Sequence, residues 1–215
     1  MRIAYVTDVH EHFEVVADAL EQIGPVDALV VGGDLTTGGT VQEASQAVSA
    51  WQALAPRVLA VAGNMDSTAI DARLVELCVS IDRRGVVVDD VGFFGVSAAP
   101  RSPLRTPYEL DEDELARRIE TAYSPIASCS VRIFCPHAPP YDTACDRLPS
   151  GQHVGSTSVR AFVDRAQPEL VLCGHIHESR GTDRLGRSLV VNPGPASAGH
   201  YAVAETAPEL SVRFD

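Results

Sequence analysis

The chain has 215 residues, 45% of them hydrophobic and 21% charged, and a formal net charge of -12. That composition excludes a disordered or collagen-like polypeptide, and the length fits one domain over residues 1–215. The acidic balance argues against stable nucleic-acid binding, which relies on Lys and Arg to neutralise phosphates; all 17 basic side chains here are arginine.

No apolar run approaches the ~20 residues that cross a bilayer. Met1–Val6 meets the polar pair Thr7-Asp8 before a signal-peptide core can form. The expectation is a cytoplasmic protein with no membrane contact. Cysteines stand at 78, 129, 135, 145 and 173, an odd number with no Cys-x-x-Cys pair, so disulfides are not expected. Cys78, Cys135 and Cys173 lie in apolar runs and read as buried filler.

The first third of the chain alternates strand and helix. Residues 3–7 read as a strand, and 12–23 as a helix with Phe13, Val16, Leu20 and Ile23 on one face. Residues 28–32 are a continuous apolar run, the pattern of a strand covered on both sides. Thr40 and Glu43 form a capping box before a helix with Val41, Ala44, Val48 and Trp51 inside. A strand over 58–62 leads to a helix from Ser67 carrying Ile70, Leu74 and Leu77.

The middle changes character. Residues 85–96 hold two apolar runs split by Asp89-Asp90, which predicts an antiparallel hairpin. Residues 100–107, rich in Pro, Ser and Arg, read as a loop. The acidic run Glu109–Glu114 reads as the opening of a helix with Leu115, Ile119 and Ala122 inside, because carboxylates favour the positive end of the helix dipole. A strand at 131–135, a long irregular loop at 138–155, a helix from Ser156 and a strand at 170–173 follow. The tail predicts three more strands, at 187–191, 201–204 and 210–214. Alternation first and strands last point to an α/β chain with two sheets.

Five of the apolar runs end in residues able to bind metal: Asp8 and His10, Asp34, Asn64, His137, and the pair His175 and His177. Strand ends in α/β proteins converge on one rim, where ligands bind. Mixed carboxylate, imidazole and amide donors suit hard-to-borderline divalent ions rather than a thiolate zinc clip. Read in isolation, each position has a plain structural alternative. Asp8 is equally a helix cap, Asp34 a turn residue after Gly32-Gly33, and Asn64 a turn residue before a capped helix. A lone His137 at a strand end is more often structural. The pair His175-x-His177 after Gly174 is harder to dismiss.

Taken together, Asp8-x-His10, Gly-Gly-Asp34, Gly-Asn64, His137 and Gly-His175-x-His177, with Asn192-Pro193-Gly194 later, resemble the calcineurin-like metallophosphoesterase superfamily. The resemblance implies a four-layer sandwich, two mixed β-sheets packed face to face and flanked by helices. It implies one ion on Asp8, His10, Asp34 and His177 and a second on Asp34, Asn64, His137 and His175, with Asp34 and a hydroxide bridging. Two such ions, about 3.5–4 Å apart, activate water and clamp phosphate oxygens. Mn²⁺ is the favoured ion, with Fe, Zn, Ni or Co as alternatives. The activity implied is hydrolysis of a phosphodiester or small phosphomonoester. The competing reading is a non-catalytic scaffold or a regulatory metal- or nucleotide-binding module; completeness of the seven donors argues for the enzyme.

Two departures stand out. Many relatives have a His after Gly-Asn that assists the leaving group, whereas this chain has Met65, which offers no proton. His12 and His153 are the substitutes to examine. Relatives also often have glycine where this chain has Glu11, which reads as the start of the helix or as a residue narrowing the site. Arg147, Arg180 and Arg184 are possible phosphate contacts or plain surface arginines.

Overall fold

Strand side chains point alternately to opposite faces, and here both faces are apolar in almost every central strand. The computed structural model describes residues 1–215. β1 (Arg2–Val6), α1 (Phe13–Ile23), β2 (Ala28–Val31), α2 (Val41–Gln52), β3 (Val58–Ala60) and α3 (Thr68–Glu76) alternate as expected. β4 (Val86–Val88) and β5 (Val91–Val96) follow, then β6 (Ala99–Pro100), β7 (Glu109–Leu110) and α4 (Glu112–Tyr123). The chain continues with β8 (Val131–Pro136), α5 (Thr157–Ala166), β9 (Leu170–Leu172), β10 (Gly181–Leu185), β11 (Ser188–Asn192), β12 (Ala202–Glu205) and β13 (Ser211–Phe214).

The strands form two large mixed sheets, in the orders β13-β12-β1-β2-β3 and β10-β11-β9-β8-β5-β4, and β6 pairs with β7 in a small separate ribbon. Between the large sheets lie Ile3, Tyr5, Val30, Phe93, Ile133 and Leu172. The alternate residues Ala4, Val6, Leu29 and Val31 turn outward and pack with Val16, Val48, Trp51 and Leu74 of the first three helices. On the other sheet Phe94, Phe134 and Val171 turn outward against Leu115, Ile119, Phe162 and Val163 of α4 and α5. The result is helix, sheet, sheet, helix. No helix is long and apolar enough to cross a membrane.

Local signals explain most boundaries. Thr40 and Glu43 close the capping box of α2, and Ser67, Asp111 and Ser156 cap α3, α4 and α5 through their side chains. Asp89 and Asp90 both have positive φ, 47° and 66°, as a two-residue turn joining twisted antiparallel strands requires. Three expectations need correction. Glu109 lies in β7, and α4 starts only after its Asp111 cap. The segment 100–107 is a loop as expected, apart from Pro100 in β6, and the β6–β7 ribbon joins its ends. The tail has a fourth strand, β10, whose polar Thr182-Asp183-Arg184 forms a sheet edge that hydropathy does not reveal. Cys78 is exposed, because the chain turns out of α3 there with φ 59°, while Cys135 and Cys173 are buried as expected and Cys145 joins them.

Candidate metal centre

All five strands that lead to the candidate donors are parallel neighbours within their sheets: β1, β2 and β3 in one, β8 and β9 in the other. Their exit loops keep bonding beyond the strands. Asp8 N donates to Gly33 O, His10 N to Asp34 O, and Gly174 N to His137 O, at 2.9, 2.9 and 3.0 Å. The loops therefore form one continuous rim. Asp8, His10, Asp34 and His175 sit there with positive φ, between 48° and 67°. Such backbone is sparsely populated by non-glycine residues and gathers at functional sites. Gly63 and Gly174 are required by close approach: a Cβ on Gly63 would collide with the backbone and carboxylate of Asp34, and one on Gly174 with Thr7 and Asp8.

Two groups of donor atoms come together, Asp8 with His10 and His177, and Asp8 with Asp34 and His137, each with every atom within 4.8 Å of the others. His177 Nε2 is 3.3 Å from Asp8 Oδ1. Asp8 is common to both groups, and Asp34 Oδ2 of the second lies 3.9 Å from His10 Nε2 of the first and 3.6 Å from His137 Nε2. Asn64 joins through Oδ1, 2.9 Å from His137 Nε2. His175 packs against His137 with ring centroids 5.1 Å apart, and its backbone N donates to the Asp8 carboxylate. Its imidazole falls outside the two tight groups.

The lone pairs favour a cation. His137 Nδ1–H donates to Gly32 O at 2.8 Å, so in the neutral ring Nε2 faces Asn64 Oδ1 with no proton between two acceptors. His10 Nε2 and His177 Nε2 face each other at 3.4 Å. Burial, then the charges of Asp8 and Asp66, push the Asp34 carboxyl well above its ordinary value. Burial opposes ionisation of Asp8 too, but His177 and His137 hold it down to about 2. His177 is raised by that same bond. Burial and the neighbouring His137 push His175 down to about 3, and burial lowers His10. Buried carboxylates crowded against imidazoles are the donor chemistry that divalent ions satisfy.

Several residues that hold this arrangement were not singled out by sequence. Asp66, fully buried, accepts from Leu35 N, Thr36 N, Thr36 Oγ1 and Gly63 N at 2.9–3.1 Å and so clasps the Asp34 loop to the Asn64 loop. Its spacing two residues beyond Asn64 was the available signal. Thr37 Oγ1 holds His10 Nδ1 at 2.8 Å. Glu11 does not start α1: with φ 64° it turns its carboxylate to accept from Thr37 N. His12 points toward Glu14, 3.7 Å away, and His153 is tied into its own loop by Asp146 at 2.6 Å, so neither is held toward the donors. Arg180 is committed to Pro193 O and Asp215, and Arg147 and Arg184 are exposed.

The sequence model of the calcineurin-like phosphoesterases matches residues 1–179. The chain belongs to that family. Its members are metal-dependent phosphoester hydrolases, which agrees with the donor set above. The chain is similar to an uncharacterized protein of Methanocaldococcus jannaschii, 31% identical over 219 residues, which cover 100% of this chain and 96% of that one. The fold is shared with a Thermus thermophilus protein at TM-score 0.76 and 18% identity, covering 99% and 97% of the two chains. It is also shared with a dimetal phosphatase of Danio rerio at TM-score 0.66 and 12% identity, covering 100% and 95%.

Proposed function

We propose that this calcineurin-like phosphoesterase is a dimetal enzyme that hydrolyses a phosphodiester or a small phosphomonoester, in the cytoplasm and without a nucleic-acid partner. The observation that supports it is the position of Asp34 Oδ2 between His10 and His137, the nearest imidazoles of two adjacent donor groups. On this reading Asp8, His10, Asp34 and His177 hold one ion, and Asp34, Asn64, His137 and His175 hold the other. When bound, two divalent ions, Mn²⁺ by preference, supply Lewis acidity to water and to phosphate oxygens.

The chain's own residues set the geometry. Gly32 O fixes the tautomer of His137, and Thr37 fixes the ring of His10, so both present Nε2 to the site. Asp8 and Asp34 supply negative charge against the cations. Met65 donates its backbone N to Asp34 Oδ1 at 2.7 Å, but its thioether offers the leaving group no proton. With His12 and His153 turned elsewhere, the leaving group departs as an anion, which favours diesters with acidic leaving groups.

The test is turnover of bis-p-nitrophenyl phosphate and p-nitrophenyl phosphate by protein reconstituted with Mn²⁺. The wild type is expected to turn over the diester, and Asp34→Ala to fall by about 10³-fold or more, on the scale of losing one essential electrostatic group. Stoichiometric metal binding without turnover of either ester would overturn the reading in favour of a non-catalytic metal-binding module or scaffold.

A further inference from the structure

The loop between β6 and β7 is rooted on the metal centre. Before it, Ala98 N donates to Ala62 O at 2.9 Å, and at its end Tyr108 N donates to Asn64 O at 3.0 Å. Both stems are thus bonded to the segment that carries Asn64. Arg101 is three residues from the first anchor and Arg105 three from the second, and three residues span at most about 11 Å.

The loop is also stiff. The Glu109 carboxylate accepts from Ser102 N and Oγ and from Thr106 N and Oγ1, at 2.7–3.1 Å. Pro103 and Pro107 fix φ on either side of the tip. Beneath the root, the Tyr108 hydroxyl donates to Asp71 at 3.0 Å and accepts from Arg118 at 2.6 Å, while Ser97 Oγ donates to the other oxygen of Asp71 and accepts from Ala62 N. One buried network therefore braces the loop and the Asn64 segment together.

What this rigid loop displays is cationic. Most arginines of the chain are paired with carboxylates, but Arg105 is exposed, forms no ion pair and is held at φ 52°. Arg101, its side chain 73% exposed, reaches only Asp111, at 4.0 Å. In a chain of net charge -12, two exposed and weakly paired or unpaired guanidinium groups are carried on a loop whose stems bond to the Asn64 segment. We propose that this loop is a substrate arm in which Arg105, assisted by Arg101, holds a second phosphate of an ester whose scissile phosphate lies at the metal centre. The inference rests on the phosphoesterase reading of that centre and names its substrate class as esters that carry two phosphate groups. The planar guanidinium matches phosphate oxygens two at a time, and a loop fixed in advance loses little entropy on binding.

The experiment compares thymidine 5′-p-nitrophenyl phosphate with and without a 3′-phosphate on the Mn²⁺-loaded protein. The two esters share scissile bond and leaving group, so the nucleoside serves only to carry the second phosphate. Exposed ion pairs are worth a few-fold. The expected result is a KM about three- to fivefold lower for the 3′-phosphorylated ester in the wild type, with the KM ratio falling to about 1 in Arg105→Ala and part-way in Arg101→Ala. A ratio of 1 in the wild type, or one unchanged in Arg105→Ala, overturns the proposal. If neither ester turns over, the phosphoesterase reading fails, and calorimetry on the same metal-loaded protein still decides the arm. Thymidine 3′,5′-bisphosphate should then bind more tightly than thymidine 5′-phosphate in the wild type and equally in Arg105→Ala. Equal affinities in the wild type, or a preference that persists in Arg105→Ala, overturn it.

Discussion

His137 and His10 both present Nε2 to Asp34, at 3.6 and 3.9 Å, yet the His137 side chain is fully buried, while that of His10 is 18% exposed and that of its neighbour His177 42% exposed. The buried end is held by main chain: Gly32 O fixes the His137 ring, and Met65 N fixes Asp34. The open end is held by side chains, with Thr37 on the His10 ring and Glu11 on the Thr37 backbone. A donor oriented by the backbone of a central strand exit is as rigid as the fold itself. One oriented by an exposed hydroxyl is rigid only while that bond lasts. The buried end is therefore the preorganised half, and on the proposed dimetal reading the open end would be completed by the ion it holds.

The comparison breaks most directly at the two imidazoles. His137→Ala removes a fully buried ring and strands the Gly32 carbonyl, so the metal-free protein should lose about 2–4 kcal/mol of stability as well as the ion at the buried end. His10→Ala should cost the ion at the open end with a stability change of about 0.5 kcal/mol or less. Denaturant unfolding of the metal-free proteins, with metal content measured after reconstitution, reads both. Equal stability losses would erase the distinction between the ends.

Asp66 ranks next. It takes no part in the donor groups, but four protein groups donate to it from both ligand loops. Asp66→Ala leaves those donors buried without a partner and should cost about 2–3 kcal/mol. Metal affinity at the buried end should fall by about 10–100-fold, as for other outer partners of ligands. A variant that is destabilised but binds metal normally would show that the clasp serves folding alone.

The sequence made the donors visible and left their supports hidden, for a physical reason. Each donor sits at the end of a short apolar run, and that local signal places it on the rim. The supports act across long separations: Asp66 accepts from residues 30 and 31 positions earlier, and Thr37 meets His10 across 27. Nothing in the intervening pattern announces those contacts. The same limit hid β10, an edge strand with no apolar alternation, and led Glu109 to be read with the acids that open α4. Its true partners, Ser102 and Thr106, lie seven and three residues back, in a stretch whose Pro and Ser content reads only as a loop.

A milder perturbation sharpens the contrast from the open end. Thr37→Val keeps the shape of the side chain but removes the hydroxyl 2.8 Å from His10 Nδ1. Metal affinity at the open end should drop by about tenfold and recover in Thr37→Ser, while unfolding of the metal-free protein stays the same. An affinity equal to wild type would mean that the ion alone orients His10.

The smallest effect lies in the substrate arm and is read through pH. Burial would raise the Glu109 carboxyl, but the four Ser102 and Thr106 donors outweigh it and bring it down to about 2. Its ordinary value is near 4.3. A carboxylate depressed by folding stabilises the folded form above its unfolded value, and that contribution fades as pH falls toward its folded value. The clasp should therefore be fully formed at pH 6, weaken below about pH 4.3 and be lost near pH 2. Amide exchange at Ser102 and Thr106, whose N–H groups donate to Glu109, should be slow at pH 5. In Glu109→Gln it should be faster at that pH, because the neutral amide is a weaker acceptor and offers one oxygen instead of two. Protection that is identical in the two proteins at pH 5 would show that Pro103, Pro107 and the Tyr108 network hold the loop without the carboxylate. The arm would then be as rigid as the buried end of the metal centre, with no need of an exposed clasp.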